Sequence, residues 1–337
     1  MFVFKGLLTF LSERKIVDEA VLIEFIALTE NENNTESRSK NDNMFFLICI
    51  CNQQIYIIIL IIKVLLAFIL HFLTFFVLHF GMQQIKITFL GTGTSQGVPI
   101  IACNCEVCTS LNPFDNRLRS SILIEDDVTK VVIDSGPDFR QQLLREKVKM
   151  LNAVVFTHEH KDHIAGLDEV KAFNYLYKMR MPVFVTKRVE EALHREFAYI
   201  FAEEKYPGIP EIDVVNFDND TFNIGNIKFE PINVLHYKLP VKGFKINNFA
   251  YVTDANFISE EEKLKLKNLD VLVLNALRLE PHLSHFTLNQ ALDLINELKP
   301  KKAYLTHISH QLGLHTAISD LLPGNVELAV DGLQIII

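Results

Sequence analysis

Six consecutive residues, His158-Glu159-His160-Lys161-Asp162-His163, follow a short apolar run at 153–156, and they constrain this chain more than anything else in it. Three imidazoles and a carboxylate in a strand-to-helix loop have no core to fill. They crowd one another unless a cation gathers them. Neutral imidazole and carboxylate suit zinc, and also manganese or iron. In an extended segment His158 and His160 can converge on one ion, while Asp162 and His163 lie far enough along to reach a second. Two ions need more ligands than one loop offers. The candidates stand at the ends of other strand-like stretches: His236 after 229–235, Asp254 after 249–253 and His307 after 304–306. Asp254 is expected to bridge. Two ions at ~3.5–4 Å share a hydroxide, lower the pKa of its parent water and clamp an attacked phosphoryl group. That chemistry points to hydrolysis. Gly91-Thr92-Gly93-Thr94 follows a strand, but Pro99 and cysteines come next instead of a helix, so it reads as a tight loop near the metals and not as a dinucleotide fingerprint.

A second cluster, Cys103-x-Cys105-x2-Cys108, is too tight for an ordinary disulfide loop. Three thiolates need a fourth ligand for a closed tetrahedral zinc, and His310, three residues after His307, is the best choice. The alternative is a trio of small buried thiols. Between a strand and a helix, Leu279–Thr287 carries His282 and His285. His285 precedes Thr287, a helix-cap residue type, which would fix its orientation. We expect it to protonate the leaving alkoxide or to hold a non-bridging phosphoryl oxygen, with His282 the second choice. Asp162 is expected to serve catalysis as well as metal binding. His71, His79 and His194 read as bystanders, and His315 has no assigned role.

Bulk properties narrow the partners. A formal net charge of −8 disfavours a long polyanion, because phosphate backbones call for a basic face. It does not exclude a small phosphate ester held by metal ions. Five cysteines, three of them clustered, do not resemble a secreted disulfide framework, and thiolates kept reduced for metal point to the cytosol. The oligomeric state is open, with a homodimer as one option.

Composition changes near Met82. Residues 31–43 are polar and linker-like, and 55–80 are almost wholly apolar, longer than the ~20 residues that cross a bilayer. One reading is a membrane anchor. The favoured one is that 1–81 lie outside the working protein, since Met82 opens a natural first strand. From 82 to 337 the chain reads as one α/β domain, and the 49% of apolar residues in the whole chain allows a sizeable core. Strands are expected at 85–90, 121–125 and 130–134 around an Asp126-Asp127 turn, and at 153–156, 271–275, 303–306 and 327–337. Helices are expected at 167–177, 189–201, 259–266 and 288–298. Runs of strands with helices interspersed suggest two sheets between helices.

The motif His158-x-His160-x-Asp162-His163, with His236, Asp254 and His307, resembles the metallo-β-lactamase superfamily. Gly91–Pro99, the cysteine trio and Thr306-His307-x-x-His310 look like its PhnP branch, phosphodiesterases acting on phosphoribosyl cyclic phosphate. The resemblance spans 82–337. It implies an α/β (α+β) four-layer αβ/βα sandwich with metals at the edge of the two sheets. It also implies two divalent ions (Zn2+ or Mn2+), one structural Zn2+ on Cys103, Cys105, Cys108 and His310, and a catalytic histidine at His285. The reaction implied is cleavage of a small, cyclic phosphodiester by a metal-bridging hydroxide. A nuclease resembling tRNA 3′-processing enzymes is the runner-up. It is disfavoured because residues 181–233 hold no basic run longer than Lys187-Arg188. The coenzyme-synthesis protein PqqB, with a similar cysteine loop, and a non-catalytic metal-binding scaffold are further alternatives.

Overall fold

The computed structural model describes residues 63–70, 84–204 and 206–337. The chain divides into the units Met1–Gly81 and Met82–Ile337. In the first, residues 63–70 are helical. Among the described residues no helix is long and apolar enough to cross a membrane. Most of the apolar stretch 55–80 lies outside the described residues, as do Cys49, Cys51, His71 and His79.

The second unit opens with β1 (Lys86–Gly91), β2 (Ser121–Glu125), β3 (Lys130–Ile133), α1 (Phe139–Arg145) and β4 (Ala153–Val155). Then come α2 (Lys161–Ile164), α3 (Lys171–Tyr177), β5 (Met181–Val185), α4 (Lys187–Glu196), α5 (Ala198–Phe201) and β6 (Ile212–Asn216). The remaining strands are β7 (Phe222–Ile224), β8 (Ile227–His236), β9 (Leu239–Ile246), β10 (Phe249–Val252), β11 (Phe257–Ile258), β12 (Val271–Asn275), β13 (Lys302–Thr306), β14 (Val326–Leu328) and β15 (Gln334–Ile336). The remaining helices are α6 (Glu260–Lys265), α7 (Leu288–Leu298) and α8 (His315–Ser319). Among the described residues the strands form two mixed sheets. One runs β15-β1-β2-β3-β4-β5-β6, the other β11-β8-β9-β10-β12-β13-β14 with β7 added beside β8.

Strand periodicity decides the layers. Alternate residues of a strand face opposite sides, so Ile87 and Phe89 of β1 enter one core while Leu90 enters another. The core between the sheets holds Ile87, Phe89, Val131, Val155, Phe229, Phe244, Tyr251 and Val273. Phe229 and Phe244 meet edge to face at 6.1 Å, and Phe222 stacks on Phe229 at 5.2 Å. Each such fully buried side chain contributes roughly 1.5–3 kcal/mol of transfer free energy. Val132, Val154 and Val183 point outward under α1, α3 and α4. On the other side Leu272, Leu274 and Leu305 pack under α6, α7 and α8. The result is the expected four-layer αβ/βα sandwich.

Local signals explain several boundaries. Asp126 Oδ1 accepts hydrogen bonds from the Val128 and Thr129 N–H groups at 2.8 and 2.6 Å, closing the β2–β3 turn. Thr287 caps α7 in a capping box with Gln290. Two expectations fail. The helix expected over 189–201 breaks at Phe197 (φ −124°, ψ 41°) into α4 and α5. Residues 327–337 are not one strand: β14 runs parallel to β13 in the second sheet, and β15 pairs antiparallel with β1 in the first. Gly332, at φ +88°, turns the chain between them. Alternation read along a sequence cannot show that a chain has changed sheets.

Candidate metal centre

The ends of β3, β4, β8, β10 and β13 converge at one edge of the sandwich. The loop after β4 carries His158 and His160 and enters α2, which carries Asp162 and His163. It lies hard against the loop after β3. A Cβ on Gly136 would sit 2.1 Å from the Asp162 carbonyl oxygen, and one on Gly166 2.1 Å from the Gly136 carbonyl oxygen. Only glycine lets these backbones approach so closely. Asp134, Asp254 and His307 each follow a strand with φ of +65°, +54° and +56°. Left-handed backbone is uncommon away from glycine, and such outliers concentrate at functional sites.

The sequence candidates form two groups around one carboxylate. In the first, the rings of His158 and His160 lie 4.6 Å apart, those of His160 and His236 5.1 Å, and those of His158 and His236 5.9 Å. In the second, Asp162, His163, Asp254 and His307 present ligand atoms all within 4.8 Å of one another. Asp254 Oδ2 lies 3.2 Å from both His163 Nε2 and His307 Nδ1. Asp254 also groups with His236 and His285, so it stands between the two. His285 comes closer than an acid acting at a distance would require. Its ring is 4.4 Å from His236 and 4.8 Å from His307, and its Nδ1 is 3.9 Å from Asp254 Oδ1.

The unoccupied bonding directions fit a cation. His163 Nε2 sits 3.1 Å from Asp162 Oδ2 and 3.2 Å from Asp254 Oδ2, yet it is aligned for a hydrogen bond to neither. Buried His158 Nε2 also lacks a partner among the described residues. Buried polar nitrogens are rarely left so, and His163 Nε2 lies beside both Asp162 and Asp254. Charge agrees. Burial pushes the His163 imidazole down, but Asp162, Asp254 and Asp134 outweigh it and hold it well above the usual histidine range. Burial pushes Asp254 up, and His307 and His163 overcome this to hold it well below the carboxylate range. The negative charge around His163 is of the kind that favours a cation among these groups. Burial, helped by His307, pushes His285 down to about 2.

Outer contacts orient the rings. His236 Nδ1–H donates to the Ser284 carbonyl at 2.7 Å, His158 Nδ1 is 3.0 Å from Thr157 Oγ1, and His307 Nδ1 is 3.3 Å from Ser120 Oγ. The sequence reading missed Asp134. Fully buried, it accepts from His163 Nδ1–H at 2.7 Å, from the Thr157 N–H at 2.9 Å and from Thr157 Oγ1–H at 2.8 Å. This is the carboxylate–histidine arrangement that fixes a metal ligand's tautomer. Asp134-Ser135-Gly136 directly after a strand was the available signal.

The cysteine cluster is separate. Cys103, Cys105 and Cys108 Sγ lie 3.3, 3.2 and 3.5 Å from His310 Nδ1. The Cys108 backbone N–H and His310 draw the Cys105 thiol down to about 6, whereas burial pushes Cys108 up to about 11. Both donor sets have the chemistry of divalent-metal sites. His315 stands apart from the metal candidates, with Nδ1 3.1 Å from the buried Arg117 guanidinium, and His194 stacks on Phe201.

Residues 129–308 match the family model of the beta-lactamase superfamily domain. The chain is 37% identical over 251 residues to a protein of Porphyromonas gingivalis named octanoyltransferase, covering 74% of this chain and 51% of that protein. Over 96 residues it is 32% identical to coenzyme PQQ synthesis protein B of Methylobacterium radiotolerans, covering 24% of this chain and 32% of that protein. The chain therefore spans about half, or less, of the length of these curated relatives. Among solved structures, a diphosphatase from the PhnP family superposes with a TM-score of 0.71 at 38% identity, covering 75% of this chain and 97% of that one. Zinc-bound PqqB from Methylobacterium extorquens superposes at 0.62 with 16% identity, a likeness of fold alone. The chain belongs to the metallo-β-lactamase superfamily and is a PhnP-like member of it.

Proposed function

We propose that residues 82–337 form a metal-dependent phosphodiesterase acting on a small phosphodiester. The observation that carries this is the convergence of two groups on Asp254, one with Asp162, His163 and His307 and one with His236 and His285, with the rings of His158 and His160 beside His236. Two divalent ions, zinc or manganese, held there supply a hydroxide at neutral pH and positive charge for the phosphoryl oxygens. Asp162 orients the attacking oxygen by accepting a hydrogen bond from it. His285 faces the same space and provides an N–H to the departing oxygen, whose bond to phosphorus breaks as the new P–O bond forms. Cys103, Cys105, Cys108 and His310 hold a structural zinc with no open position. Free thiols in that set favour the cytosol, and 1–81 stand outside this assignment. The octanoyltransferase name belongs to a protein half of which this chain does not cover, so no acyl transfer is carried over.

A screen of the metal-replete full chain with Mn2+ or Zn2+ tests the reading. The panel holds a cyclic ribose phosphate, 2′,3′- and 3′,5′-cyclic nucleotides, a dinucleoside diphosphate and a tRNA precursor. Turnover of a small diester supports it. Turnover of the tRNA precursor alone would replace it with the nuclease alternative, and no turnover at all would favour the non-catalytic scaffold.

A further inference from the structure

The candidate metal ligands occupy one end of the parallel strands β3 to β6, where Asp134 and the 158–163 loop follow β3 and β4. The opposite end of these strands is built from turns: residues 146–152 between α1 and β4, 178–180 between α3 and β5, and 206–211 before β6. The first two lie side by side, since the Tyr177 hydroxyl donates to the Lys149 carbonyl oxygen. Carboxylates on these segments are paired. Glu146 meets Arg145 at 2.7 Å, and Glu211 and Asp213 meet Arg180 at 3.1 and 2.5 Å. Lys147, Lys149 and Lys178 are exposed and have no carboxylate partner among the described residues.

Apolar side chains stand among these cations. Tyr175 is 75% exposed, Leu176 66% and Leu144 60%. Leu143 and Phe173 supply the core contacts of the same helix turns, so packing does not require the three outward residues. Lys178 Nζ lies 4.8 Å from the Tyr175 ring centroid. Both line a groove of about 700 Å³ together with Lys171, Arg180 and Ile209.

We propose that this end of the sandwich docks on an anionic lipid bilayer, with Lys147, Lys149 and Lys178 meeting headgroup phosphates and Leu144, Tyr175 and Leu176 entering the interfacial layer. Charge selects the partner: three cations without carboxylate partners, in a chain of net charge −8, complement a negative surface locally. The leucines select a bilayer over single-stranded nucleic acid. Bases stack on aromatic rings and track cations, and leucine adds little to either. Interfacial binders combine lysines with leucine and aromatic residues. Docking at this end leaves the metal centre, at the other end of the strands, open to water. The proposal is independent of the reaction that the metal centre runs.

The test is co-sedimentation of the full chain with vesicles of phosphatidylcholine alone and of phosphatidylcholine mixed with phosphatidylserine. Residues 55–80 are themselves apolar, so the readout is the preference for the anionic vesicle and its loss in high salt, not total binding. Each lysine is expected to contribute about fivefold to that preference, so Lys147→Asn, Lys149→Ala and Lys178→Asn together should lower it about 100-fold. Asparagine is chosen at 147 and 178 because φ is +54° and +53° there, and it tolerates left-handed backbone. Leu144→Ser with Leu176→Ser should weaken binding to the anionic vesicle about tenfold, at low and high salt alike. Lys187→Ala, at the metal end of β5, is the control and should bind as the wild type does. Tm should hold in every variant, because the replaced side chains are exposed. Equal binding of the wild type to the two vesicles, or an anionic preference that the lysine variant keeps, overturns the bilayer. So does unchanged vesicle binding in the leucine variant together with loss of oligonucleotide binding in the lysine variant, which would make this a nucleic-acid surface.

Discussion

Replacing Asp134 with asparagine is the sharpest probe of the site, because it keeps the volume and removes one electronic feature. The carboxylate takes three hydrogen bonds, from His163 Nδ1–H at 2.7 Å, the Thr157 N–H at 2.9 Å and Thr157 Oγ1–H at 2.8 Å. In Asp134→Asn the amide oxygen keeps one Thr157 bond, and the amide NH2 then faces a ring N–H, two donors in a fully buried place. A lost bond to a charged group costs about 1.5–3 kcal/mol. At 1.4 kcal/mol per tenfold, that is about 10- to 150-fold in anything that depends on His163. Ligand-supporting carboxylates typically change metal affinity or activity by about 10–100-fold, the same range. Competition against a chelating dye gives the metal affinity, and kcat at saturating metal gives the catalytic part. We expect weaker metal binding, with activity partly recovered at high metal. Wild-type affinity together with wild-type kcat would mean that His163 is held by something else, and the ligand assignment of His163 would then lose its main support.

Asp162→Ala should abolish turnover while the far-ultraviolet dichroism spectrum stays that of the wild type, and residual activity above a hundredth would remove Asp162 from the mechanism. Cys105→Ser should release one equivalent of zinc and lower Tm, since a structural zinc contributes directly to folding; an unchanged Tm would argue against that site. Gly136→Ala puts a methyl 2.1 Å from the Asp162 carbonyl, so the ligand loop must shift. The expected readout is a large loss of activity, and crystallography of an active variant would contradict the close approach. Glu125 gives a pH test far from the metals. Burial raises its carboxyl, but Lys130 at 2.6 Å and Lys86 at 3.1 Å outweigh this and hold it below the ordinary glutamate value of 4.5. Its stabilisation is therefore present above pH 4.5 and lost as pH falls through the lower folded value. The Tm gap between wild type and Glu125→Gln should be open at pH 7 and close toward pH 3; a gap independent of pH would refute the linkage.

Much of this fold and most of the candidate site could be read from residue order, for physical reasons. The loop His158–His163 is legible because its composition has no structural use without a cation. His236, Asp254 and His307 were found as polar residues at strand ends, where the structure gathers them. Thr287 announced its helix by side-chain chemistry alone. Asp134 was missed because one acidic residue closing a hairpin strand looks like any turn residue until His163, 29 positions later, is seen against it. The closeness of His285 to His236 and Asp254 was missed because it depends on where the β12–α7 loop folds back. β5, β6 and β9 were not assigned, since runs such as Ile212–Asn216 are too short and too exposed to show a clear period.

The tail that crosses from β14 to β15 has a consequence for the order of folding. The first strand of the sandwich is paired with the last one: Ile85 and Ile337 exchange backbone hydrogen bonds at 3.1 and 2.9 Å. Contacts this distant in sequence form late and slowly. The candidate ligands also come from both halves, so neither sheet alone offers a complete pocket. The candidate ligand set is therefore brought together only where both sheets have formed. Pulse-labelled hydrogen exchange should find the Ile85 and Ile337 amides, which bond across the β1–β15 pairing, protected last, and their protection before β13 would show that the order is different.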